Sequence, residues 1–393
     1  MVNNITSNTI EIDSTGWKSL ERCFVMDHKT VRVLQVIGLA CGGGVESVIM
    51  NYYHNIDKDK VQFDFVVHKN PLKSFVDEAE KYGGKVYEVT PYTKNIFAFT
   101  YEIYTIIKNG HYNIVHSNMN SLSGFPLFAA WLASAKVRIL HNHTTDTKAE
   151  GLRTVIKTSL RPFAKMFANK YWACSKLAAE WMYGKKAVNA GKITIINNAI
   201  DLDKFAFNQE KRDKLRKELG LEGKFVIGHV GRFMKQKNHE FLIDIFAEVA
   251  KKRDNAVLVL IGDGLLMETI KNKVRDFHLA DKVLFLGVRN DVADLYNVMD
   301  VFLFPSLYEG LGMVAVEAQV NGLPVVASTE VPVEAKVSDN IKWVTLNMEA
   351  KKWEKEILCA KRVPFAETIK RMQNSGFDIS KEARKLENEY LTI

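Results

Sequence analysis

Cysteine is scarce and never paired. Cys23, Cys41, Cys174 and Cys359 are scattered through 393 residues with no CxxC spacing, which excludes a disulfide framework or a clustered zinc site and points to reduced thiols in a cytosolic protein. His141 and His143 in LHNHTT lie two apart with no further ligand at metal spacing, so no metal and no resident cofactor is expected. Long apolar runs are missing too. The longest, FPLFAAWLASA, is about half the ~20 residues of a membrane span. The opening stretch MVNNITSNTIEIDSTGWKSLERCFVMDHKT has no apolar centre of a secretory signal. Residues 1–30 read as a polar extension of unknown role, and translation from Met26 would lose nothing foldable. Internal repeats and low-complexity tracts are absent. A soluble, cytoplasmic protein is expected.

The composition itself is ordinary, 47% hydrophobic and 25% charged, and suits two domains of roughly 150–200 residues each. Short β-rich runs alternate with helical stretches: RVLQVIG, FDFVVH, KVYEVT, NIVHSN, VRILHNH, KYWACS and ITIINNA, then KFVIGHVGR, AVLVLIGDG, KVLFLGV, DVFLFPS and LPVVAS. The pattern predicts an α/β chain with two parallel, Rossmann-like sheets wrapped by helices. A charged helix in NNAIDLDKFAFNQEKRDKLRKELGLEGK separates the halves. The expected domains are 31–205 and 206–365, with 366–393 holding a C-terminal helix that returns to the first domain. Ligands of open α/β sheets bind beyond the carboxyl ends of the strands, so two such sheets would turn two rims toward one cleft.

The formal charge is +8, and a surplus of eight lies within residues 148–192, where ten Lys or Arg meet only Glu150 and Glu180. Arg153, Lys157, Arg161 and Lys165 recur every fourth residue on one helical face, while Ile156, Leu160, Phe163 and Phe167 occupy another. Pro162 is expected to split this stretch into two short helices. The face is either simply solvated or rests on an anionic membrane surface or an acidic acceptor. No nucleic-acid-binding module accompanies it, and no nucleic-acid partner is expected.

Four segments carry candidate chemistry. GLACGGGVESVIMNYY places Gly42, Gly43 and Gly44 at the start of a helix, where glycine lets backbone approach a ligand, or simply makes a tight turn. The GxGxxG spacing and the acid about 20 residues on that a dinucleotide site wants are both missing, as is a Walker GxxxxGK[ST]. In GHVGRFMKQKNHEF, Gly231 and Arg232 follow a strand and Lys237 precedes a helix. A forked guanidinium and a mobile ammonium on such a rim suit a diphosphate. LFPSLYEGLGMVAVEAQVNGLPVV puts Glu309 in a loop and Glu317 on the helix that follows. Gly310 and Gly312 clear the approach to the first N–H groups, those of Gly312, Met313 and Val314. Gly322 is expected to cap that helix and Pro324 to stop it. The two carboxylates would meet different parts of one ligand, and carboxylates accept well from sugar hydroxyls.

Glu309 and Glu317 form an E-x7-E motif in SLYEGLGMVAVEA, and with VGRFMKQKN the chain resembles the retaining, nucleotide-sugar-dependent glycosyltransferases of family 4, of the GT-B fold, over residues 31 to about 345. The resemblance implies a donor diphosphate held by Arg232 and Lys237, donor-sugar hydroxyls on Glu309 and ribose on Glu317. The base would meet backbone after Gly287, at Val288, and His143, rather than His141, would face the reacting sugar. It further implies a hexosyl or N-acetylhexosaminyl group, from a UDP-sugar donor, passing to a glycan or lipid-linked acceptor with its anomeric configuration kept and no metal. One departure is NNAID where the family has NGVD, with Ala199 beside Asn198; it bears on the hinge between domains. Asp201 and Asp203 have DxD spacing but lie at the domain join and read as structural. Two rivals remain: a sugar-nucleotide epimerase of the same fold, and an inactive scaffold subunit.

Overall fold

The structure, a computed structural model, describes residues 30–40, 44–144, 152–364, 368, 372 and 375–393, with backbone alone for 152–154. The N-terminal extension up to residue 29, Gly42 and Gly43, Cys23 and Cys41, Lys148, Glu150 and the Arg153 side chain lie outside the described residues.

Two sheets form, and every pairing in them is parallel. The first holds β1 (Val31–Gly38), β2 (Val61–His68), β3 (Val86–Val89), β4 (Ile114–Ser117), β5 (Val137–Asn142), β6 (Lys170–Ala173) and β7 (Thr194–Ile195). Their spatial order is β3-β2-β1-β4-β5-β6-β7. The second holds β8 (Phe225–Val230), β9 (Ala256–Ile261), β10 (Val283–Phe285), β11 (Val301–Phe304), β12 (Val325–Ser328) and β13 (Ile341–Val344), in the order β10-β9-β8-β11-β12-β13. Chain direction across each sheet therefore reverses once, beside β1/β4 and beside β8/β11. Those are the switch points where loops diverge and leave a crevice.

Helices cover both faces of each sheet, so strands such as β2 and β9 are buried throughout, and β9 reads as an unbroken apolar run. Asp64, in the middle of β2, is fully buried and fully paired. Arg32 donates to both of its oxygens at 2.8 and 2.6 Å, and Lys85 N and Tyr112 OH donate at 2.7 Å each. A buried charge survives only with such compensation.

Three features differ from the sequence reading. IKWV forms an unanticipated edge strand, β13, short enough and edge-placed enough to leave Lys342 exposed. ITIINNA narrows to a two-residue strand because Asn197 turns away, its carbonyl accepting from Tyr52 OH at 2.6 Å. Pro162 does not split its helix, which is continuous over Leu152–Phe167. The Thr158 carbonyl that proline cannot pair instead accepts a long bond from Arg161 Nε at 3.5 Å.

The basic face is also less free than its spacing implies. Arg161 donates to the Trp181 carbonyl and stacks on the Trp181 ring at 5.1 Å. Lys157 and Lys165 are half-buried, while Val155, Ile156 and Met166 are 63, 51 and 70% exposed. Among its described side chains this helix turns Val155, Ile156 and Met166 to solvent together with Ser159 and Pro162. Among the described residues no helix is long and apolar enough to cross a membrane.

The final helix, Ile379–Thr392, presents Ile379, Ala383, Leu386 and Tyr390, an i, i+4, i+7, i+11 stripe, to the core of the first sheet. Its entry is pinned where Ile200 and Asp378 bridge in parallel, with Ile200 N donating to Phe377 O and Ile379 N to Ile200 O. The chain thus crosses between domains twice, side by side. Ala199 is fully buried next to this crossing and does not take a positive φ, so alanine meets no backbone strain there.

Candidate functional site

On the second domain's rim two segments distant in sequence lock together. Leu307 N donates to Gln236 O at 2.8 Å and Asn238 Nδ2 to Pro305 O at 3.1 Å, tying the turn after β8 to the loop after β11. The lock aligns two charged side chains: Lys237 Nζ lies 2.7 Å from Glu309 Oε1, both largely buried, and the ammonium also sits 4.9 Å from the centre of the Phe304 ring. Gln236 Nε2 donates to Glu309 Oε2 at 3.3 Å and to the Tyr308 carbonyl at 3.1 Å. Gly231 leaves room for the lysine stem: a Cβ there would stand 3.0 Å from His229 Nε2 and 3.2 Å from Lys237 Cδ and Cε. Arg232 is exposed and makes no ion pair among the described residues. The rim thus offers one cation held by a carboxylate and one reaching into solvent.

Directly after Glu309 the helix Met313–Val320 begins, with Gly312 at φ +84° as its N-cap. A Cβ on Gly312 would also crowd Phe304 and Val331 at 3.1 and 3.2 Å. The opening N–H groups at Met313 and Val314 lie ahead of the first intrahelical bonds and are available to an anion. At the other end Gly322, φ +75°, follows the C-cap Asn321, and Leu323 N returns to Ala318 O. Glu317 is half-buried and accepts from Tyr296 OH at 2.8 Å. Burial raises its carboxyl above the ordinary range, and Tyr296 partly offsets that. Val288 is 75% exposed after Gly287, and a cavity of about 420 Å³ opens beside that loop, lined by Asn290, Asp291, Asp203 and Lys204 among others.

On the first domain's rim the described polar groups around His143 are neutral. His143 follows β5, its backbone N–H donating to Asn120 Oδ1 at 2.7 Å and its Nε2 lying 3.0 Å from Asn118 Oδ1. His141 stacks on it with ring centres 4.1 Å apart and is itself 3.0 Å from His116 Nε2. Burial lowers the His143 pKa to about 4 and those of His116 and His141 well below the usual imidazole value. All three are uncharged at neutral pH. Gly44 starts the helix Gly44–Asn55, and a Cβ there would meet no described residue within 4 Å. Gly43 lies outside the described residues.

The two rims meet at Gly310, where a Cβ would stand 3.5 Å from the His143 carbonyl oxygen. His143, Glu309, Lys237 and the start of the helix at Gly312 are therefore gathered in one place, whereas Glu317 and Val288 lie further along the second rim. Sequence reasoning missed Gln236, Tyr296, Asn118, Asn120, Gln35 and Tyr390. Only Gln236 had a local signal, its place inside KQKN. The others act across long sequence separations. Among the described residues no group of three or more His, Cys, Asp or Glu is placed to hold a metal ion.

Comparison with known proteins accounts for both halves. Residues 211–375 match the model of "Glycosyl transferases group 1" and residues 42–204 that of "Glycosyltransferase Family 4". A putative glycosyltransferase of Bacillus subtilis, EpsF, is 33% identical over 93% of this chain and 97% of its own length. An Escherichia coli UDP-Gal:alpha-D-GlcNAc-diphosphoundecaprenol alpha-1,3-galactosyltransferase is 29% identical over 77% of this chain and 80% of its own. Among solved structures, Anabaena HepE in complex with UDP and glucose superposes with a TM-score of 0.77 at 20% identity, covering 92% of this chain and all of that one. That likeness is one of fold.

Proposed function

The chain belongs to the family 4 glycosyltransferases and is a transferase of the GT-B fold, and from that premise we propose that it moves a hexosyl or N-acetylhexosaminyl group from a UDP-sugar to an acceptor hydroxyl with retention of configuration. The acceptor is a lipid-linked glycan in the assembly of a surface polysaccharide. Support for the donor comes from HepE, solved with UDP and glucose, and for the acceptor from the E. coli relative, named for a diphosphoundecaprenol substrate.

In the reaction the bond between the anomeric carbon and the β-phosphate oxygen breaks, the acceptor oxygen bonds to that carbon, and its proton passes to the departing diphosphate. Negative charge grows on the leaving group. Arg232, Lys237 and the helix start at Gly312, Met313 and Val314 supply preorganised stabilisation there. Glu309 orders the sugar hydroxyls and holds Lys237 in place until the diphosphate competes for it. Glu317 takes the ribose hydroxyls, the backbone at Val288 meets the base, and His143 borders the transferred sugar together with Gly44 and Gly43 of the glycine-rich turn. No protein-bound metal is assigned a part, so turnover should survive chelation.

The observation that carries this reading is the buried Lys237–Glu309 pair beside a glycine-opened helix, brought against the His143 carbonyl at Gly310. A panel of uridine, guanosine and adenosine diphosphate sugars tests it by thermal shift and by slow hydrolysis without acceptor. A ligand bound only to the native state raises the melting point by mass action. One donor should both stabilise and be slowly cleaved. Stabilisation by none would favour the scaffold rival, and release of an altered free nucleotide sugar would favour the epimerase.

The helix Leu152–Phe167 bears on location. Its exposed Val155, Ile156 and Met166 with flanking Lys157 and Lys165 suit a peripheral contact with the anionic cytoplasmic face of a membrane. Pelleting with anionic vesicles at low salt and release at high salt is expected. Equal pelleting with neutral vesicles would defeat the electrostatic part.

A further inference from the structure

Behind His143 lies a chain of side-chain hydrogen bonds that ends on the C-terminal helix. Tyr390 OH is 2.6 Å from His116 Nδ1, and Gln35 Nε2 donates to Tyr390 OH at 2.9 Å. Asn118 Nδ2 donates to Gln35 Oε1 at 2.9 Å, and Asn118 Oδ1 faces His143 Nε2 at 3.0 Å. All these residues are buried and line one small cavity of about 20 Å³ beneath the rim.

The directions of these bonds follow from one anchor. Asn118 Nδ2 also points at the His116 carbonyl at 3.5 Å, and a carbonyl can only accept, so the amide nitrogen belongs on that side. Asn118 Oδ1 must then accept from His143, which places the imidazole proton on Nε2 and leaves Nδ1 a bare acceptor. His143 Nδ1 is buried as well, with the Asn198 side chain as its polar neighbour. In the other direction, Gln35 turns its NH2 to the Tyr390 oxygen, so the tyrosine proton goes to His116 Nδ1. His116 then donates from Nε2 to His141 Nδ1 at 3.0 Å. Tyr390 is the hinge of the whole arrangement, because its one hydroxyl accepts from Gln35 and donates to His116.

We infer that Tyr390, acting through Gln35 and Asn118, is a positioning residue that holds His143 in the Nε2–H tautomer and so fixes its ring at the rim of the first domain. The inference deepens the functional reading above and rests on it for the role of His143. Without the hydroxyl, Gln35 would keep a buried N–H unpaired, a worse state than an unpaired carbonyl. Rotating the Gln35 amide by half a turn relieves this, but it forces Asn118 to rotate as well and asks His143 to accept at Nε2. The imidazole proton then moves to Nδ1. The last helix thus reaches the reaction centre without touching it.

Tyr390→Phe tests this, since it keeps the ring packed on Phe63 and Trp172 and removes only the oxygen. Two-bond 1H–15N spectra of histidine-labelled protein, with the His143 signals assigned by their loss in His143→Gln, should show Nε2–H in the native chain and a mixed or Nδ1–H tautomer in Tyr390→Phe. Turnover number should fall about tenfold with the donor KM within about twofold, the signature of a lost alignment rather than lost binding. Adding Asn118→Asp, whose carboxylate accepts from His143 without help from Gln35, should return the Nε2–H tautomer. An unchanged His143 tautomer in folded Tyr390→Phe overturns the inference, as does a changed tautomer with unchanged turnover. If no nucleotide sugar is ever turned over, the spectra still decide whether Tyr390 sets the tautomer, and only the reading of the reaction falls.

Discussion

The two domains share a topology and differ in what they place at the same point of it. At the second domain's switch point the polar groups are charged, Lys237 paired with Glu309 and Arg232 exposed to solvent, and the helix start adds its own positive end. At the first domain's switch point one carboxylate, Glu46, opens the helix after β1, but the groups gathered at His143 are neutral, with His116, His141 and His143 kept uncharged by burial and knit to amides. The contrast teaches that the fold supplies two equivalent crevices and the side chains divide the labour. A diphosphate calls for charge, whereas sugar hydroxyls are aligned by directional neutral bonds.

The most severe way to break the contrast is to discharge the second rim. Lys237→Ala should lose about 100-fold or more in turnover, by analogy with the ~2.7–4 kcal/mol lost with one oxyanion donor, while circular dichroism shows the fold intact. Near-native turnover would remove Lys237 from the mechanism.

Acid breaks it from the other side, by charging the first rim. The folded pKa of His143 is lowered to about 4, below the unfolded value near 6.5, so the unfolded chain takes up its proton first. The stability contributed by neutral His143 is complete above about pH 6.5 and is lost as pH falls toward 4, on the order of 3 kcal/mol at the lower limit. His116 and His141 act in the same sense. His229 and His239 in the second domain add to it, burial lowering both. Urea melts from pH 7 to pH 4 should show this fall, shallower in His143→Gln. A flat profile would contradict the neutral assignment.

A milder change sharpens the contrast within the second rim. Glu317→Gln keeps the shape and the Tyr296 contact but removes the charge, so the donor KM should rise about tenfold, worth ~1.4 kcal/mol, with the turnover number nearly unchanged. An equal fall in turnover number would move Glu317 closer to the reacting atoms. Least of all, Lys157→Glu combined with Lys165→Glu should leave turnover on a water-soluble acceptor within about twofold, yet weaken vesicle binding at low salt, where exposed charges act over about a Debye length. A large loss on the soluble acceptor would place this helix in the acceptor site.

Legibility followed sequence distance. Glu309, Gly310, Gly312 and Glu317 lie in one short segment, where strand, loop and helix start are each written in local residue types, and they could be read directly. The Lys237–Glu309 contact could not, because 72 residues separate its partners, and each was assigned separately to the ligand. The stripe Arg153, Lys157, Arg161 and Lys165 was correct in its helical spacing and misleading in its exposure, since Trp181 on another helix claims Arg161. Pro162 misled for a related reason: a neighbouring arginine takes over the carbonyl that proline leaves unpaired.

By itself the sequence determined the two parallel sheets, twelve of their thirteen strands, the rim positions of its cations and carboxylates in the second domain, and the family. Those depend on periodicity, turn chemistry and spacing within a few residues, all local physics. Only the tertiary structure decided that Lys237 is held by Glu309, that Gly310 lies against His143, and that Tyr390 meets His116, 274 residues earlier in the chain. Such contacts arise when separate elements pack into one core, and a hydrogen bond has a direction only once both of its partners are in place.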